Sequence, residues 1–297
     1  MTGGFRRSRP RPLGRRRPRG AVVHGHHGYP GTARAGLGRH AATMTIAPVG
    51  RRGPPGFLVP AVWCAVVLLA AIGVGASVAR GVFLPDLVAR LEPPRQRILQ
   101  ALDIQDPYAQ ERPAVARLVD GRYAAHRGLT LLHVVPGILF LAAAPLQFSR
   151  RLRTRHLRLH RWSGRVLLVL GVLLVLPGFY FGVGVPYAGW GEASAALAAG
   201  GLFLAALARA YGAIRRQQVA VHREWMLRAF AAAIGIATIR VIAAVLDLAL
   251  TPAGHRPVEI FVLSLWSGWA LTIGAAEAWI RYTRPVARSE TAAAAAL

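Results

Sequence analysis

QFSRRLRTRHLRLHRWSGR, residues 147–165, holds seven arginines and two histidines, contains no acid, and lies between two long apolar runs. A cationic stretch in that position marks a connection that stays in the cytoplasm while helices cross a bilayer on either side of it. Outward from it, apolar runs recur in both directions. The expected spans are 57–79, 128–148, 166–185, 193–211, 225–250 and 258–280. Each is long enough to cross a hydrocarbon core of ~30 Å at ~1.5 Å per residue. The expected fold class is all-α: a polytopic membrane helix bundle of six transmembrane helices, with spans two to five forming the core.

Composition agrees. The chain has 297 residues, 54% of them hydrophobic, with a mean hydropathy of +0.38, which is too apolar for an ordinary soluble domain. The formal net charge is +25, and all 37 basic residues are Arg. Such basicity raises nucleic acid as a partner. The charge, however, sits in segments flanking the apolar runs, where membrane orientation accounts for it. The expected partners are therefore the lipid bilayer and anionic lipid headgroups at the cytoplasmic face, with no nucleic acid. A chain rich in Arg, Ala and Gly and free of Lys is associated with high-GC bacterial genomes, so a bacterial plasma membrane is the expected location. Cys64 is the one cysteine, which excludes intrachain disulfides and Cys-based metal clusters. No Walker loop, GxSxG elbow or HExxH motif suggests an enzyme class.

Residues 1–50 form a basic tail expected to be disordered, since ten Arg and four His before Met44 accompany no acid. His24, His26 and His27 read as part of that solvated tail, and Met44 is an alternative start. Residues 57–79 are expected to be an uncleaved anchor, although Ser77-Val78-Ala79 has the small-x-small form of a cleavage site. Residues 80–127 read as an extracytoplasmic segment with short helices at 87–91 and 113–123. Residues 128–283 hold the five-span core, and 284–297 a tail. Arginine crowds the connections after spans two and four and both termini, which places both termini in the cytoplasm.

That topology gives each intramembrane polar residue a depth. His133 on span two, Tyr180 on span three, and Asp247 on span five fall in the outer half, with Arg240 nearer the midplane. Arg240 and Asp247 are i, i+7 and share a helix face. A deep Arg costs at least ~2.5–3.5 kcal/mol unless paired or hydrated, so it should face the bundle interior. The functional reading is a His/Arg-lined polar cavity of His133, Tyr180, Arg240 and Asp247, suited to a small-molecule or lipid-headgroup transporter. The alternative is interhelical glue, with Arg240 bonded to Asp247 or to carbonyls. At the inner rim, His160 and His222 stand at one depth. Facing imidazoles are what a b-type haem requires, so His133, His160 and His222 are the candidate ligands of an electron-transfer reading. In that reading His160 pairs with His222, and His133 with His126 or His255.

Two motifs stand out: His160-Arg161-Trp162-Ser163-Gly164-Arg165 opening span three, and His222-Arg223-Glu224-Trp225-Met226-Leu227-Arg228 opening span five. Together with His133, Pro145-Leu146-Gln147-Phe148 and Thr238-Ile239-Arg240, the pattern resembles the bacterial membrane family catalogued as domain of unknown function 2306. The resemblance covers residues 126–250. It implies a helical membrane fold and a set of family-defining positions, among them Gln147, Arg165 and Arg228, but no activity. A looser likeness to small quinol- or haem-associated four-helix proteins and oxidase-assembly factors rests on histidines carried by a bundle.

Overall fold

Residues 55–82 and 86–284 are described by the computed structural model. The basic segment holding His24, His26, His27 and Met44, and the tail after Arg284, lie outside the described residues. Among the described residues there is no strand. The helices are α1 (Leu58–Val82), α2 (Leu87–Ala101), α3 (Arg112–Ala125), α4 (Arg127–Gln147), α5 (Arg150–Arg155), α6 (Leu157–Phe179), α7 (Gly189–Arg215), α8 (Val219–Leu250) and α9 (Pro257–Thr283), with a π-helical turn at Tyr180–Gly184. Six of them, α1, α4, α6 with its π turn, α7, α8 and α9, are long and apolar enough to cross a membrane.

The spans match the apolar runs, but several boundaries move. α6 begins nine residues before the expected start and carries the whole His160–Arg165 motif; the six-residue α5 takes up much of what remains of the basic stretch. Likewise, α7 and α8 are joined by only three residues, with Gln217 at φ 60° in the turn, so His222 and Arg223 are helical rather than in a loop. The cause is shared. Arg is a good helix former, and its long stem lets a helix run beyond the hydrocarbon while the guanidinium reaches water. α2 also continues through Pro93-Pro94 well past the expected end at Leu91. Tertiary bonds at both ends hold it: Asp120 of α3 accepts the amides of Val88 and Ala89 at 2.8 and 3.4 Å, and Arg95 is clasped by acids further along.

Five spans pack as a ring, in the order α1, α4, α6, α7, α8 and back to α1, while α9 packs along α8 and touches α7. The main apolar cluster is drawn from spans two to five, as expected, with Ala70 of α1 added. Without a hydrophobic drive between helices in lipid, such seams depend on close fit. The α8–α9 seam shows this at Gly268, where an added Cβ would stand 2.9 Å from the backbone of Ile239.

Polar ties fasten both ends. At the arginine-rich end, Gln147 Nε2 donates to Ser163 Oγ at 2.8 Å, joining α4 to α6. His222 Nδ1 meets the Ala210 carbonyl at 2.9 Å, joining α8 to α7. Arg228 forks onto Glu277 of α9, and Arg284 pairs with Glu224 at 2.5 Å. At the other end α2 and α3 form a cap, latched by an ion cluster in which Glu92 also pairs with Arg95 at 3.2 Å. Asp247 of α8 accepts from Arg95 at 2.5 Å and Arg112 at 3.0 Å, and both arginines also bind Asp106. Tyr108 adds a hydrogen bond to the Gly254 carbonyl at 2.5 Å.

Candidate functional site

Under the cap, the ring together with α9 lines a cavity of about 540 Å³, within the usual size range of small-molecule sites. Its ceiling is polar and its floor is apolar. In the ceiling, Tyr123 of α3 is flanked by two guanidiniums, Arg80 at 4.7 Å and Arg122 at 4.9 Å from the ring centre. Each arginine has its own acid: Arg80 pairs with buried Asp120 at 2.5 Å, and Arg122 with buried Glu192 at 2.9 Å. Glu192 is well placed for that role. It lies in the first turn of α7, where it also accepts the amides of Tyr187 and Ala188 at 2.6 and 3.0 Å, satisfying donors just ahead of that helix. Burial pushes the Tyr187 phenol up, and nearby arginines oppose that only in part, so this cavity-lining hydroxyl stays protonated. The floor is formed by Phe140, Phe179, Phe203, Ala232 and Ile236.

Between ceiling and floor stand His133 and Arg240. His133 Nδ1 lies 2.6 Å from the Leu174 carbonyl on α6. A carbonyl only accepts, so Nδ1 carries the proton, and Nε2 is the acceptor whenever the ring is neutral. Gly178 makes room for the ring, since a Cβ there would come within 3.3 Å of it. Arg240 extends from α8 beyond the buried residues Ala237, Thr238 and Ile239. It is densely surrounded by protein, yet its side chain is open to a water-sized sphere, the mark of a group projecting into internal space. His133, Tyr123 and Arg80 are close enough for charge interaction with it. Among the described residues, no hydrogen bond or ion pair engages Arg240.

The structure therefore joins two of the four residues expected in the polar cavity and places the other two elsewhere. Tyr180 faces away, with its hydroxyl 3.1 Å from His126 Nε2. Leu174, Val175, Gly178 and Phe179 line the cavity from one face of α6; at ordinary helical spacing Tyr180 falls on the opposite face and Phe181 returns to the lining. Asp247 lies outside the lining and serves the cap latch, and the bond to Arg240 that the glue alternative allowed is not formed. Of the motif-supporting residues, Gln147 and Arg228 tie helices together, and Arg165 is exposed.

The histidines divide. His160 and His222 are near enough to interact electrostatically at the arginine-rich end. Both lie about eighteen residues of helix, ~27 Å, from the level of His133, since Gly178 and Arg240 mark that level on α6 and α8. His133 is the one imidazole in the cavity lining among the described residues. His126 is engaged with Tyr180, and His255 is exposed beside Glu259 at 3.4 Å. Arg80, Arg122, Tyr123 and Glu192 were not expected in the site. They lie in segments read as connections, and the available signal was one acid, Glu192, at the start of a span.

The family described as predicted membrane protein (DUF2306) matches residues 130–280. The match takes in His133, His160, His222 and Arg240, reaches through most of α9, and leaves out α1 and the cap. No curated protein and no solved structure matches the chain.

Proposed function

Because this chain belongs to the DUF2306 family of predicted membrane proteins, a multi-pass architecture is its starting point, and we propose that the capped cavity is a binding site for a small amphiphile moved across or within the bilayer. One observation carries this reading. Arg240 projects into the cavity without an acid or carbonyl against it, although an uncompensated Arg inside a membrane bundle costs at least ~2.5–3.5 kcal/mol. Had it served as glue, it would be bonded to a neighbouring helix. The gradient from polar ceiling to phenylalanine floor supports a ligand with a polar head and an apolar body.

The finer placement follows from charge. The α5 end, with exposed Arg150, Arg151, Arg153 and Arg155, supports a cytoplasmic location in a bacterial plasma membrane and attraction to anionic headgroups there. The cap is then external, and both termini cytoplasmic. Reporter fusions in 149–156 and 251–256 check this; an external 149–156 segment would reverse the assignment. For the cavity, Gly137 lines the space and an added Cβ there meets nothing within 4 Å, so Gly137→Phe fills it without a clash at the first added atom. Native mass spectrometry of protein released from membranes should show an amphiphile on the wild type that is lost in Gly137→Phe. Equal occupancy in the two would defeat the reading.

A further inference from the structure

We infer that the head of the ligand is a single negative charge, and that the cavity takes a single-chain carboxylate with its head on Arg240 and its chain against Phe140, Phe179 and Phe203. The inference rests on the reading of the cavity as a binding site and adds the class of ligand.

Charge balance around the cavity decides the sign and the size of the head's charge. Arg80 and Arg122 are each already neutralised, by Asp120 and Glu192. Arg240 is the lining cation with no counter-ion among the described residues. A neutral head would leave that charge uncompensated in a low-dielectric space, a cationic head would add repulsion, and a dianion would exceed what is free. One carboxylate closes the balance, and the planar fork of guanidinium suits it. Arg240 is also poised for this. Its side chain is tied to no neighbour, so no existing bond has to be broken when the head arrives.

The shape fits the remainder of such a ligand. The space of about 540 Å³ holds on the order of eighteen water-sized units. Its walls below Arg240 are aromatic and aliphatic, with the Phe140 and Phe203 rings edge to face at 5.6 Å. A straight acyl chain matches a space of that volume and lining. His133 supplies a second polar contact near the head. With Nδ1 committed to Leu174, its Nε2 accepts from an O–H. A carboxylate carries no such donor, so a hydroxyl a few atoms from it is the feature His133 recognises.

The test is a binding competition on purified full-length protein in nanodiscs of neutral lipid. Radiolabelled dodecanoate is displaced by unlabelled dodecanoate, 3-hydroxydodecanoate, dodecanol or dodecyltrimethylammonium. The expected result is saturable binding in which dodecanoate outcompetes dodecanol by about tenfold or more, the margin of a charge-assisted hydrogen bond. The cation should not compete. Arg240→Gln should lower carboxylate affinity to that of the alcohol, and Arg240→Lys should restore much of it. The hydroxy acid should bind more tightly than dodecanoate, and that preference should vanish in His133→Asn. If dodecanol displaces as well as dodecanoate in the wild type, the anionic-head inference is overturned while the cavity reading stands. If Gly137→Phe binds dodecanoate like the wild type, both fall. The wild-type ranking of the four probes decides the matter even where a variant fails to accumulate.

Discussion

His133 Nδ1 and the Leu174 carbonyl oxygen are 2.6 Å apart, bridging α4 and α6 at the level of the cavity. This bond does two jobs: it fastens two helices, and it fixes which nitrogen faces the ligand. The jobs can be separated. In His133→Asn the side-chain amide nitrogen occupies roughly the place of Nδ1, so the bond to Leu174 is kept while Nε2 disappears. His133→Ala removes both. We expect the Asn variant to melt near the wild type, and the Ala variant to lose about 1–3 kcal/mol. Both should lose the preference for a hydroxylated ligand. A differential scanning fluorimetry series beside the competition assay checks the separation.

Arg240 makes the opposite prediction about stability. Its charge has no partner among the described residues, so Arg240→Leu should raise the melting temperature of ligand-free protein while abolishing carboxylate binding. Relief of an uncompensated intramembrane cation sets the scale at ~2.5–3.5 kcal/mol, reduced by whatever hydration the cavity already provides. A lower melting temperature would mean that Arg240 holds the bundle together.

The cap latch should depend on Asp247. Asp247→Asn keeps the shape but leaves Arg95 and Arg112 facing an amide that serves them poorly; both retain Asp106. A cost of about 1–3 kcal/mol in cap stability is expected. It should appear as faster hydrogen exchange in α2 and α3, with α6 and α7 little changed.

The same latch sets a pH limit. Burial pushes the Asp106 carboxyl up, but hydrogen bonds from Arg95, the Tyr108 amide and Arg112 outweigh it and hold the group below the ordinary carboxylate value. A folded value below the unfolded one contributes stability that is fully present above the unfolded value of ~3.9 and is lost as pH falls through the folded value. Protection of cap amides should therefore stay level from neutral pH down to about pH 5, and decline only below about pH 4. A decline centred near pH 6 would point to histidine instead.

Two glycines of α9 offer a packing test. Gly268→Ala sets a methyl against the Ile239 backbone and should cost about 1–3 kcal/mol by opening the α8–α9 seam. Gly274 meets nothing within 4 Å, so Gly274→Ala should be neutral, or gain about 0.5–1 kcal/mol from helix propensity.

The six spans were legible because a run of some twenty apolar residues has few soluble alternatives, and arginine marks its ends. His133 and Arg240 were legible for a related reason: an ionisable side chain inside such a run has to face protein. What could not be read was rotation and reach. Tyr180 left the site because α6 turns the face bearing Leu174, Val175 and Gly178 to the cavity, and a span apolar nearly all round does not announce which face looks inward. Asp247 left it because its partners, Arg95 and Arg112, come from a cap 135 to 152 residues away in the chain. The Arg122–Glu192 pair was hidden in the same way. Contacts within one helix can be inferred from spacing; contacts between a cap and a ring require the fold.

The ionic ties sit at the two ends of the bundle, the latch on Asp247 at one and the Arg228–Glu277 and Arg284–Glu224 pairs at the other, whereas the middle relies on close fit and on single hydrogen bonds to carbonyls, from His133 to Leu174 and from Trp269 to Ala232. The helices around the cavity are like staves hooped at top and bottom. A guest of the right girth leaves them straight, while a thicker one has to bow them between fixed hoops at a rising elastic cost. Chain length can thus vary more freely than chain width, and a branched or double-tailed acid should be turned away where a straight one is admitted.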